Sequence, residues 1–133
     1  MNKARRGLRL EIKVKNIKGL LVPLEEFTPI MRRELYNSLL RIANKEERML
    51  KSTLKFTDRT GKLRRSLFIV ATFKPLGISG GSFNPYAIYV AYPHGTWSGS
   101  WWLSYKRRAI PRILNAIKGA ANRIVRKWSK RKE

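Results

Sequence analysis

The chain has 133 residues, 43% of them apolar, enough for one domain with a modest core. It contains no cysteine, which excludes disulfides and thiolate chemistry, and no apolar run approaches the ~20 residues of a membrane span. Thirty Lys and Arg face eight carboxylates, a net charge of +22, and self-repulsion of that size calls for a polyanion or an acidic neighbour to offset it.

Residues 1–7 form a basic arm carrying Arg5 and Arg6, with no signal-peptide apolar stretch. Leu8, Leu10, Ile12 and Val14 then alternate with Arg9, Glu11, Lys13 and Lys15, and this period of two predicts a strand with one buried face. Its other face is mostly cationic, which suits a sheet edge or the flank of a partner. Gly19 and Pro23 punctuate the chain. Thr28-Pro29 is a helix start, threonine capping and proline in the first turn, and an earlier start near Leu24 is also open. Met31, Leu35, Leu39, Ile42, Ala43, Met49, Leu50 and Leu54 recur at helical spacing and predict a helix over about 28–55. Arg32, Arg33, Glu34, Arg41, Lys45, Glu46, Glu47 and Arg48 on its far side read as a solvated face with some i,i+4 pairs.

Leu67 to Phe73 is β-branched and aromatic, and predicts a strand with both faces covered. Lys74 to Pro85 holds two prolines and three glycines, a turn-rich segment with room for a short strand around Ile78 to Phe83. Tyr86 to Tyr92 fits either a strand or a short helix, and Gly95 to Ser100 fits a loop. Pro111 sits where the first turn of a last helix would begin. Ile110, Ile113, Leu114, Ile117, Ala121, Ile124, Val125 and Trp128 give that helix an apolar stripe, with Arg112, Lys118, Arg123, Arg126 and Lys127 around much of the rest. Residues 129–133, with Lys130 and Arg131, read as a frayed basic tail. The order predicts a single α+β domain with its globular core in residues 8–128. It would be a small antiparallel sheet packed against a long central helix, with an amphipathic basic helix at the C-terminus.

The residue types needed for catalysis are sparse. His94 is the only histidine, and without cysteine it cannot build a metal centre or a relay of the usual kind. Glu46 and Glu47 are adjacent, so on a helix they project in different directions. After Asp58 no carboxylate occurs until Glu133, whereas a metal-dependent nuclease needs clustered carboxylates. Ser79-Gly80-Gly81-Ser82 lacks the lysine of a phosphate-binding loop. No catalytic residue, metal, cofactor or small-molecule substrate is therefore expected.

The positive charge is unevenly spread. Residues 106–133 hold eleven Lys or Arg and one carboxylate, and residues 1–18 hold seven and one. Arg5, Arg6, Lys106, Arg107, Arg108, Arg112, Lys118, Arg123, Arg126, Lys127, Lys130 and Arg131 are the candidates for contact with a nucleic acid or an acidic partner. Phosphate contacts of this kind carry affinity without base reading. A solubilising surface is the bland alternative. Trp97, Trp101, Trp102 and Tyr105 crowd beside Lys106-Arg107-Arg108, where they could stack unpaired bases or anchor a subunit interface, and the interface is the favoured reading. The last helix could also lie on an anionic membrane, although aliphatic residues at this spacing more often face a core.

Two short motifs stand between the helical segments. Thr60, Gly61, Leu63, Arg64 and Ser66 fit a Thr-Gly-x-Leu-Arg-x-Ser pattern, and Tyr86, Ala87, Tyr89, Val90, Gly95 and Thr96 fit a Tyr-Ala-x-Tyr-Val pattern closing on Gly-Thr. In this order, over residues 30–130, the chain resembles the small head–tail connector and tail-completion proteins of tailed phages. It departs from them at Ala91 to His94, where an acidic residue is usual, in the aromatic loop, and in its charge. Connector, tail terminator and nozzle-like component of another virus morphology therefore all remain open. The resemblance implies a structural virion protein, made in the host cytoplasm, that assembles with itself as a ring where head meets tail. Its partners would be other head, connector or tail proteins and double-stranded DNA bound non-specifically. The aromatic loop and the first strand would make the ring contacts. The rival expectation is a monomeric or dimeric nucleic-acid-binding protein.

Overall fold

A computed structural model describes residues 8–52, 65–82 and 101–131. Strand β1, Arg9–Lys13, has the predicted alternation, with Leu10 and Ile12 buried between outward-facing Arg9, Glu11 and Lys13. Helix α1 spans Pro29–Lys51, and Thr28 caps it as predicted: its side chain accepts from the Met31 N–H at 3.2 Å. The earlier start near Leu24 is a separate single turn, Leu24–Glu26. Arg32 fastens that turn by donating to the carbonyls of Phe27 and Leu24 at 3.2 and 3.0 Å.

Strands β2, Leu67–Phe73, and β3, Leu76–Ser82, form an antiparallel hairpin joined by Lys74-Pro75, whose peptide bond is cis. β3 also pairs antiparallel with β1, so the sheet order is β1-β3-β2 and the chain's most glycine-rich strand lies in the middle. Close approach of the β1 side of the sheet explains two of those glycines. A Cβ at Gly77 would sit 2.3 Å from the Ile12 carbonyl oxygen, and one at Gly81 would sit 2.3 Å from that of Leu8. The short strand expected around Ile78 to Phe83 is present and begins earlier, at Leu76, because tertiary pairing, not local propensity, makes it.

Among the described residues β2 is an edge strand, and its outer face is largely uncovered, which corrects the expectation that both faces are covered. Leu67 and Ile69 are buried on the α1 side, but Val70 and Phe73 remain 44% and 43% exposed. Glu47 of α1 reaches this edge, and its carboxylate accepts the Ile69 backbone N–H at 3.0 Å.

Helix α2 spans Trp101–Arg131, ten residues longer at its start than Pro111 suggested. Pro111 lies inside the helix, where it cannot donate to the Arg107 carbonyl. It sits on the exposed side, while Trp102, Tyr105 and Ala109 extend the buried stripe of Ile113 and Ile117 by about three further turns. Burial of that stripe outweighs the local penalty of roughly 3 kcal/mol for an interior proline. α1 packs against β2, β3 and α2, and one contiguous core joins Leu10, Ile12, Leu35, Leu39, Ile69, Ile78, Ile113 and Ile117. The molecule is an α+β fold: a three-stranded antiparallel sheet, a long central helix and a C-terminal amphipathic helix.

Candidate nucleic-acid interface

Two carboxylates of α1 fix how α2 lies against it. Glu46 pairs with Arg112, and Glu34, twelve residues earlier, pairs with Lys127 at 2.9 Å, so the helices run antiparallel. The sites are roughly 18 Å apart along α1 at 1.5 Å per residue.

The first pairing site is closed. Glu46 is only 3% exposed, the one buried charged side chain among the described residues. Arg112 donates to it twice, from Nε and Nη2, each at 2.7 Å, and the Tyr105 hydroxyl donates to Oε1 at 3.0 Å. Burial first, and then the adjacent Glu46 carboxylate, push the Tyr105 hydroxyl well above the usual tyrosine range, with Arg112 opposing. The Glu46 hydrogen bonds raise the Arg112 guanidinium in turn. A buried carboxylate held by a forked guanidinium and a phenol is a fully satisfied unit.

Arg112 thus becomes a helix clamp instead of the free phosphate contact expected of it, because its charge is already matched. Trp102 and Tyr105 are corrected as well. They are 1% and 8% exposed and stack with ring centroids 5.7 Å apart, inside the subunit core. The helix beginning at Trp101 carries them inward, whereas a loop would have left them for a ring contact. Trp101 opens α2, and Trp97 lies outside the described residues, as do Arg5 and Arg6. Thr60, Gly61, Leu63, Arg64, Tyr86, Ala87, Tyr89, Val90, Gly95 and Thr96 are also outside them. Ser66 is described: its hydroxyl meets that of Ser82 at 2.6 Å where β2 and β3 adjoin.

The remaining cations of α2 are differently placed. Arg107, Arg108, Lys118, Arg123 and Arg126 are exposed, and none is in an ion pair among the described residues. Lys106 is half-buried, Lys127 is tied to Glu34, and Lys130 and Arg131 complete the helix. Lys118 runs along Gly19, whose φ of 90° is in the left-handed region that favours glycine. Asn122 holds that loop down, accepting from the Leu21 N–H at 2.8 Å and donating to the Gly19 carbonyl at 3.2 Å.

Between the two pairing sites the helices leave a groove of about 420 Å³, lined by Asn37, Ser38, Arg41, Ala120, Arg123 and Ile124, with Glu34 and Lys127 at one end. Arg41 donates to the Ser38 hydroxyl at 3.2 Å and makes no ion pair among the described residues. Sequence reasoning placed Arg41 on a solvated face. The signal it lacked was the antiparallel seam, which brings α1 residue 41 beside α2 residue 123.

Among the described residues no three His, Cys, Asp or Glu side chains cluster as a metal site would need, and no helix is long and apolar enough to cross a membrane. Compared with known protein families, with curated proteins and with solved structures, the chain matches none.

Proposed function

We propose that the chain is a non-catalytic structural subunit of a viral head–tail assembly, closing into a ring and turning the outer arc of α2 toward duplex DNA. The observation carrying this reading is the row of five exposed cations, Arg107, Arg108, Lys118, Arg123 and Arg126, without carboxylate partners among the described residues. They run from position 107 to position 126 of that helix, roughly 29 Å at 1.5 Å per residue, a little under one turn of duplex. Rotational symmetry multiplies such a row around a channel through which every sequence must pass, so attraction to phosphate without base reading is the property required. The motif resemblance suggests the location, and β1, on a sheet edge among the described residues, would make ring contacts.

Burial of Trp102 and Tyr105 removes two side chains from the expected ring contacts and favours a second reading, a monomeric or dimeric protein that binds nucleic acid along α2. Copy number in purified virus separates the two. Quantitative mass spectrometry should find a small fixed number per particle, on the order of six to twelve for a closed ring. Hundreds of copies scaling with genome length would identify a genome-coating protein, and absence from particles would retire the connector reading.

A further inference from the structure

We infer that the groove between α1 and α2 is a seat for one backbone phosphate of a nucleic acid, gripped by Arg41 from one wall and Arg123 from the other. The inference rests on the nucleic-acid reading of α2 and adds to it a fixed contact point that includes the central helix.

Three cations reach this groove, Arg41, Arg123 and Lys127, against the single carboxylate of Glu34. Glu34 is already engaged, its oxygen 2.9 Å from the Lys127 ammonium, so the two guanidiniums keep their charge for an incoming group. Ser38 holds Arg41 on its wall at 3.2 Å. Arg123 lies back along its own helix over Gly119, its Nη1 3.5 Å from where a Cβ would stand there. Two forks converging from separate walls suit an oxyanion with several acceptor oxygens, because each guanidinium can give paired N–H bonds. A phosphodiester fits better than a protein carboxylate for a reason of position. Arg126 is the next surface neighbour of Arg123 along α2, so the groove opens directly onto the exposed cationic row and can hold one phosphate of a strand that the row tracks.

Arg41 is exposed and on α1, so the outer-arc reading alone gives it no role. The test compares the intact chain with Arg41→Gln, Arg123→Gln, the double variant, and a charge-matched control, Arg107→Gln with Lys118→Gln. Each is checked for an unchanged melting curve in chloride. Affinity for a 30-base-pair duplex is measured across a salt series, and thermal protection by inorganic phosphate is compared with chloride at equal ionic strength. If one phosphate bridges both arginines, each single variant weakens duplex binding by about tenfold and the double variant adds little further loss. The double variant's salt slope also falls by about one phosphate contact. Phosphate protection should vanish in the double variant and survive in the control. Unchanged duplex affinity in Arg41→Gln, with the control weakened, overturns the groove and leaves the outer-arc reading standing. Failure of the wild-type chain to bind duplex overturns both, and phosphate protection that persists in that case marks an adventitious ion only.

Discussion

The two ends of the α1–α2 seam use the same residue type to opposite effect. At one end Arg112 meets a buried carboxylate and a phenol and becomes part of the fold. About three helical turns further along α2, Arg123 faces Arg41 across an open groove with no carboxylate of its own. Net charge treats the two arginines alike, and burial of a partner separates them. Of the many cations in the C-terminal helix, those with a satisfied partner hold the molecule together, and those without one remain for a polyanion.

The sharpest way to break this comparison is Trp102→Ala. Trp102 packs on Tyr105 at the closed end, and removing a buried indole should destabilise the chain by about 3–5 kcal/mol. The melting temperature should fall equally at every protein concentration. A loss that appeared only as dissociation of oligomers would return Trp102 to an interface. Glu46→Ala comes next, at about 3 kcal/mol, the lower end of the range for a broken buried pair because the Arg112 side chain is 39% exposed. Its duplex affinity, measured on folded protein, should hold. A fall in affinity matching that of Arg123→Gln would show that the closed end also meets the ligand.

Tyr105→Phe should cost about 1.5–3 kcal/mol, the hydrogen bond to the charged Glu46. It also carries a pH signature. The hydroxyl keeps its proton in the fold well above the ordinary tyrosine value of ~10, so the unfolded chain releases that proton first as pH rises. This contribution is therefore complete below pH ~10 and lost above it. Lysine deprotonation acts the other way by relieving the +22 self-repulsion, so the informative quantity is wild type minus Tyr105→Phe. That difference should shrink above pH ~10 in urea melts, and a constant difference would place the phenol outside the Glu46 contact.

Much of the scaffold was legible because it rests on local patterns. The alternation from Leu8 to Val14 and the Thr28-Pro29 start reflect side-chain periodicity and one capping bond, both contained within a few residues. The apolar stripe from Ile113 onward is equally local. What escaped depends on tertiary partners. Gly77 read as a turn residue because the carbonyl it approaches, that of Ile12, belongs to a strand over sixty residues earlier. Pro111 read as a boundary because the burial that outweighs it comes from Trp102 and Tyr105 meeting α1. Glu46 is in phase with its helix's apolar stripe, three residues after Ala43 and four before Leu50, yet its charge made it read as solvated, and only Arg112, 66 residues away, shows why it can be buried. Arg41 was missed for the same reason.

Glu34→Gln is the smallest and most discriminating change. The carboxylate lies at the open end, where its bond to Lys127 is half in water, so losing it should alter stability by less than about 1 kcal/mol. The same change removes the only negative charge lining the groove among the described residues and frees Lys127 beside Arg41 and Arg123. Duplex binding should then tighten by about three- to fivefold at low salt, with the gain fading as salt rises. Glu47→Gln, on the same helix but turned toward the β2 edge, removes an equal charge away from the groove and should leave most of that gain absent. Equal tightening in both would make net charge the controlling variable and dissolve the distinction between the two ends of the seam. Tightening confined to Glu34→Gln would put the strand at the open end of the seam, where Arg123 and Lys127 stand, and its disappearance when Arg41→Gln is added would place the phosphate between Arg41 and Arg123.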